Sequence, residues 1–186
     1  PPFENRFVPR VGVEYRAPLY LGSSDTAEVD LLALRAGYYH EPTGSIAYLV
    51  VDPATSHAAI IDPVLDYDEK AGRTSTESAD AILADIGERK LTIDCIFDTH
   101  PHADHLSAID YLKGKLGART AIGAKVVEIQ KLWRDIYNIA DFPTDGKQWD
   151  RLFADGDSFS IADMKARVML SPGHTLASIT YIVGDA

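Results

Sequence analysis

Thr99-His100-Pro101-His102-Ala103-Asp104-His105 sets four metal-binding side chains, three imidazoles and a carboxylate, within six positions. The apolar run Leu91 to Phe97 precedes it and reads as a strand buried on both faces, as in the centre of a sheet. Leu106, Ile109, Leu112 and Leu116 follow at helical spacing, with Gly117 as the stop signal. The motif therefore occupies the loop between a central strand and a helix. His100 and His102, two apart, point to one side of such a loop. Asp104 and His105 fall in the first helical turn and reach back toward the same cavity. The partial positive charge of the helix N-terminus favours neutral imidazole, the form a metal requires. Imidazole and carboxylate together suit zinc, iron and manganese. Three of the chain's 6 histidines lie between positions 100 and 105, a density that a polar helix cap does not require.

A second histidine context lies far along the chain. Ala166 to Leu170 reads as a strand leading into Ser171-Pro172-Gly173-His174-Thr175. His174 thus brings an imidazole from another loop at the same sheet edge, where open α/β sheets place their sites. In Ile60-Ile61-Asp62-Pro63-Val64, Asp62 ends a strand and the proline keeps it out of helical geometry. It either orients a metal ligand from outside the coordination sphere or caps the strand end. His40 and His57 lack such company and read as surface or structural residues. Cys95, inside Ile93-Asp94-Cys95-Ile96-Phe97, reads as a buried, inert thiol.

The chain has 186 residues, which suits one domain with a sizeable core. Residues 1–27, with Pro1, Pro2, Pro9 and Pro18, read as an irregular arm. It packs on the domain or, in a homo-oligomer, on a neighbouring subunit. Residues 28–186 form the domain proper. Leu31 to Tyr39 tilts to strand at its C-terminal part. Ile46 to Val51 and Ala58 to Ile61 read as an antiparallel pair, and Asp66 to Arg73 as a polar loop. Thr74-Ser75-Thr76-Glu77 has capping-box spacing before a helix through about Arg89, with Ile82, Leu83 and Ile86 as its buried stripe. Ala118 to Ile122 is a strand, and Val126, Ile129, Trp133 and Ile136 mark an amphipathic helix. Leu152 to Ser160 reads as a hairpin around Asp155-Gly156, and Ile179 to Val183 as a further strand.

Composition excludes several classes. A formal net charge of −10 argues against binding nucleic acid, which relies on clustered Lys and Arg. The longest apolar runs, such as Ile46 to Val51, are too short to span a bilayer. One cysteine permits no internal disulfide and favours a reducing compartment, so the cytoplasm is expected, with a removed leader ahead of Pro1 as the alternative.

His100-Pro101-His102-Ala103-Asp104-His105, Pro172-Gly173-His174-Thr175 and Ile60-Ile61-Asp62-Pro63-Val64 together resemble the motifs of the metallo-β-lactamase superfamily, from about Leu31 to the chain's end. The resemblance implies an α/β fold, an αββα sandwich with metal at one edge of its two sheets. This chain would carry the N-terminal portion, since the family's third-ligand aspartate, later histidine and thiol-recognising basic residues would follow Ala186. His102-Ala103-Asp104-His105-Leu106-Ser107-Ala108 and the ending Ser178 to Ala186 are most similar to persulfide dioxygenases, including bacterial β-lactamase-like sulfur-oxidation proteins. Glyoxalase II hydrolases usually carry glycines after the final histidine.

The dioxygenase resemblance implies one Fe(II) held by His100, His174 and an aspartate, with His102, Asp104 and His105 lining the site. Its substrates would be O2 and a small-molecule thiol persulfide such as glutathione persulfide, its products sulfite and thiol. The hydrolase branch implies Zn(II) instead. There His100, His102 and His174 would hold one ion, Asp104 and His105 would help to hold another, and thioesters or lactones would be cleaved. A third reading is a truncated binding module without catalysis.

Overall fold

The computed structural model describes the backbone of residues 11–15 and 34–38, and residues 45–103 and 105–184 in full. His40, Asp104, Asp185 and the arm of residues 1–27, apart from its stretch at 11–15, lie outside the described residues. The elements in chain order are β1 (Val11–Tyr15), β2 (Leu34–Tyr38), β3 (Tyr48–Val51), β4 (His57–Ile61), β5 (Val64–Asp68), β6 (Arg73–Ser75), α1 (Glu77–Arg89), β7 (Thr92–Phe97), β8 (Leu106–Ser107), α2 (Ile109–Leu116), β9 (Arg119–Gly123), α3 (Val126–Ile136), β10 (Arg151–Phe153), β11 (Ser158–Ile161), β12 (Met164–Leu170) and β13 (Ile179–Val183).

Among the described residues the main sheet runs β1-β2-β3-β4-β7-β9-β10. Its first half is an antiparallel meander, while β4, β7, β9 and β10 are parallel. Parallel neighbours need crossover connections, which α1, α2 and α3 supply. A second, antiparallel sheet of order β11-β12-β13 faces the first. Val50, Ala59, Phe97 and Phe153 from the first sheet meet Ile161, Val168, Ile179 and Val183 from the second. On the opposite face Ile60 and Ile96 meet Ile82 and Ile86 of α1 and Leu112 of α2. β4 and β7 each serve both cores, and the unbroken apolar run of β7 suits that position. The outer face of the second sheet carries exposed Ser158, Ser160, Lys165 and Arg167, and no helix covers it among the described residues. No described helix is long and apolar enough to cross a membrane.

Five expectations need correction. Val11–Tyr15, inside the stretch expected to be irregular, is a strand paired with Leu34–Tyr38. Asp66 to Arg73 belongs to a hairpin, because β5 pairs with β6 through Asp66↔Ser75 and Asp68↔Arg73. Polar side chains do not oppose a ladder whose outer strand is solvent-exposed on both faces.

The capping box of Thr74 to Glu77 does not form: the helix begins at Glu77 with Thr76 before it, and the Thr76 hydroxyl donates to Asp80 Oδ2 at 2.7 Å instead of capping. The α1 N-terminus is capped instead by Asp66 of β5, whose Oδ2 accepts the Ser78 N–H at 2.8 Å and whose Oδ1 accepts the Ser78 hydroxyl. The helix after the histidine motif starts at Ile109, because Leu106–Ser107 is drawn into a short pairing with β5. Asp155-Gly156 joins the two sheets rather than a hairpin; the hairpin lies between β11 and β12, with Ala162 at φ 46°.

Asp150 fastens the sheet to α2. Its Oδ2 accepts the Thr120 N–H at 2.8 Å and the Thr120 hydroxyl at 3.0 Å, and it pairs with Lys113 Nζ at 2.8 Å. The Lys113 bond and then the Thr120 N–H hold this carboxyl down at about 2 against desolvation. Because the folded pKa lies below the unfolded value of about 3.9, the stabilisation is complete above about pH 4 and fades as pH falls toward 2. Asp150→Asn is expected to cost about 1 kcal/mol at neutral pH, a modest figure for a carboxylate that solvent screens. Urea melts of both proteins should converge between about pH 4 and pH 2.5. A gap that stays constant over that interval would contradict this role.

Candidate metal centre

The centre is assembled where β4 and β7 end side by side. Asp62 follows β4 and donates its backbone N–H to Phe97 O at 2.8 Å. Its φ of 50° is left-handed, a region that aspartate tolerates better than most residues. The residue before a proline is normally extended. Here the carboxylate's partners supply the reason for the departure. Oδ1 accepts the Thr99 N–H at 2.7 Å, and Oδ2 accepts the Thr99 hydroxyl at 2.7 Å. Oδ1 also lies 3.1 Å from His102 Nε2.

These bonds assign the tautomers. The Thr99 hydroxyl spends its one proton on Asp62, so at 2.8 Å it accepts from His100 Nδ1–H. The Nε2 lone pair of His100 is then the one available to a cation. His102 is oriented the other way round. Its Nε2–H points at Asp62 Oδ1, with Asp98 Oδ1 at 3.5 Å. His102 Nδ1 is left buried, with no hydrogen-bond partner. A proton on that atom would be a buried donor without an acceptor, whereas a lone pair there fits a metal ion. Burial of the ring opposes a charge, yet the bonds from Asp62 and Asp98 outweigh it and lift His102 to about 9. The metal-free ring therefore favours its charged form, contrary to the neutral imidazole expected from the helix end, because two carboxylates flank it and the helix begins only at Ile109.

The second loop docks directly on the first. Ile179 N–H donates to Thr99 O at 3.0 Å, and the Tyr181 hydroxyl donates to Asp98 O at 2.9 Å. A Cβ at Gly123 would sit 2.9 Å from Ile179 Cγ2 and 3.2 Å from Ala177 O, so only glycine at the end of β9 allows this approach. The result places the His174 and His100 ring centroids 4.7 Å apart at 89°, and those of His100 and His102 4.2 Å apart. His105 lies 4.1 Å from His102, with Nδ1 at 3.3 Å from Leu106 O. Ligand atoms of Asp62, His100 and His102 all fall within 4.8 Å of one another. The donor set of clustered imidazoles beside carboxylates fits a borderline metal such as zinc or ferrous iron, which would displace the proton that His102 otherwise holds.

Of the residues singled out in the sequence, His100, His102, His105, His174 and Asp62 converge here. Asp104 lies outside the described residues. Asp62 bonds both His102 and the Thr99 N–H at the end of β7, which is compatible with either role expected of it. His57 sits at the other end of β4, paired with Asp94 at 2.6 Å. Sequence reasoning missed Asp98. This buried acid accepts the Ser107 hydroxyl at 3.0 Å and Trp149 Nε1–H at 2.9 Å while flanking His102. The available signal was a carboxylate terminating a doubly buried strand directly before the histidines.

The profile of the metallo-beta-lactamase superfamily matches residues 40–186. The chain belongs to this superfamily. It is 58% identical over 150 residues to a "Beta-lactamase hydrolase-like protein" of Xylella fastidiosa, covering 81% of this chain and 35% of that one. It is 45% identical over 137 residues to "Glyoxylase B2" of Dictyostelium discoideum, covering 73% of this chain and 47% of that relative. Among solved structures, ETHE1 from Myxococcus xanthus superimposes with a TM-score of 0.58 at 28% identity, over 80% of this chain and 52% of that one. This metallo-beta-lactamase superfamily chain thus spans between about a third and a half of these relatives' lengths.

Asp62→Ala removes the partner that fixes His102 and Thr99 together. Loss of such an outer support typically costs about 10–100-fold in metal affinity. A competition titration against a chromophoric chelator, on the full-length protein, should show that loss. Unchanged affinity would remove Asp62 from the account of the site.

Proposed function

We propose that this chain supplies the histidine half of an Fe(II)-dependent dioxygenase that oxidises a low-molecular-weight persulfide, of the glutathione persulfide type, to sulfite and thiol. The observation that supports it most is the convergence of His100 and His174 from two loops, with His174 on the exposed side. In this reading they hold the iron with a carboxylate contributed from beyond Ala186, and His102, Asp104 and His105 line the site. Fe(II) held by these residues would supply the redox chemistry that joins the persulfide sulfur to dioxygen. The persulfide, O2 and one water balance the thiol and sulfurous acid that result. Thr99, itself held by Asp62, keeps His100 in the tautomer that presents Nε2. Asp62 and Asp98 hold the His102 ring in place. Leu106 and Leu176, both exposed, follow His105 and His174 and give the rim an apolar edge. No side chain is required as a general base. A cytoplasmic location accords with the single cysteine.

One observation favours a second reading. The buried, unpartnered Nδ1 of His102 offers a third imidazole lone pair beside His100 and His174. That set matches a Zn(II) hydrolase of thioesters or lactones, and the Xylella relative's name includes the word hydrolase.

Full-length protein loaded anaerobically with Fe(II) is expected to consume O2 with glutathione persulfide and release sulfite in equal amount. His174→Ala should lower the rate by about 100-fold or more, as expected when a metal ligand is lost. Metal analysis after expression without chelator should give about one iron per chain. Up to two zincs, with thioester hydrolysis and no O2 uptake, would favour the hydrolase and reject the dioxygenase.

A further inference from the structure

Among the described residues the main sheet is wider than the sheet that faces it, and a cleft lies beside β11. In the parallel ladder Cys95 pairs with Arg119, Phe97 with Ala121, and Ala121 with Arg151. Residues opposite each other in a ladder share a face, so Cys95, Phe97, Arg119, Arg151 and Phe153 all look toward the second sheet. β11 is the edge of that sheet, and Phe159 is the last ring it lays over them. Beyond Phe159 lies a cavity of about 610 Å³, within the range of about 300–1,000 Å³ usual for small-molecule sites. Neither Asp62 nor any histidine lines it, so it is separate from the metal centre.

Its walls are chemically uneven. The floor is apolar: Phe97, Phe153 and Phe159 form an edge-to-face and tilted cluster with centroids 5.1–6.1 Å apart. Burial pushes the Cys95 thiol up to about 12, so it contributes an uncharged apolar surface rather than a nucleophile. The rim is charged, and its carboxylates are already committed. Asp150 is taken by Lys113 and Thr120, and Asp94 by His57 and the Ala162 N–H. Arg119 and Arg151 are not committed to a carboxylate, although Arg151 Nη2 donates a long bond to Ser158 O at 3.4 Å. Among the described residues no carboxylate pairs with either. Arg151 is laid 4.3 Å over the Phe153 ring, which holds its guanidinium at the mouth. A gap left only by imperfect packing of two sheets calls for no cations on the inner face. Two guanidiniums above an aromatic floor match an anionic head on an apolar body.

We propose that this cleft is a second binding site, for a small amphipathic carboxylate. Its apolar body rests on Cys95, Phe97, Phe153 and Phe159, and its carboxylate lies between Arg119 and Arg151. The site does not depend on the metal-centre reading.

The test is calorimetric titration of the full-length protein with 3-phenylpropanoate, with and without bound metal. Saturable binding at a Kd of about 1 mM or tighter is expected, unchanged by chelation. Arg119→Gln, an exposed position that leaves the Arg151–Phe153 stack in place, should weaken it about tenfold, and the uncharged 3-phenylpropanol should bind as weakly to the parent. No saturation below about 10 mM, binding that disappears with the metal, or full affinity in Arg119→Gln would each overturn the proposal.

Discussion

The Asp62 carboxylate is the interaction on which the rest of the site depends. It sits at the end of β4, turned by a left-handed backbone, and reaches across to the end of β7. There it accepts from the Thr99 backbone and hydroxyl and meets the His102 ring. Hydrogen bonds to a charged group contribute roughly 1.5–3 kcal/mol each, which comfortably offsets a strained φ of about 1–3 kcal/mol. Without it, neither the tautomer of His100 nor the direction of His102 would be defined.

The architecture explains why these atoms meet. Parallel strands end their chains on one side of a sheet, and the loops that leave them share that edge. β4 and β7 therefore deliver Asp62 and the histidine motif together. The second sheet is tied to the same edge by two hydrogen bonds, Ile179 to Thr99 and Tyr181 to Asp98, so His174 is positioned through the inter-sheet core and not by its own loop alone. Asp98 joins the two levels. Its carboxylate holds Trp149 and Ser107 and flanks His102, while its carbonyl receives Tyr181. A buried acid with that many partners is fully satisfied, and satisfied polar networks are rigid.

The unequal widths of the two sheets have a second consequence. Where the sheets overlap, the interior is apolar and includes Phe97, Phe153 and Tyr181. Where β9 and β10 extend past β11, the same face carries arginines and opens to solvent. A chain with a net charge of −10 thereby keeps two cations together beside an aromatic surface, on a part of the sheet that the histidine chemistry does not use.

The sequence by itself determined the metal motif, the strands Tyr48–Val51, His57–Ile61, Thr92–Phe97, Arg119–Gly123, Met164–Leu170 and Ile179–Val183, and the helices α1, α2 and α3, to within a few residues. These are local properties: apolar runs, helical spacing and donor-rich loops are written in neighbouring residues. Only the tertiary structure decided the hairpin at Asp66, the capping of α1 from β5, the delayed start of α2 and the roles of Asp98 and Trp149. Each of these is a pairing between groups distant in sequence, such as Asp98 with Trp149 or Asp66 with Ser78, and periodicity is blind to it. His174 shows both sides at once. Its chemical type was legible from Pro-Gly-His-Thr, but the 4.7 Å that separates its ring from that of His100 was set by how two sheets pack.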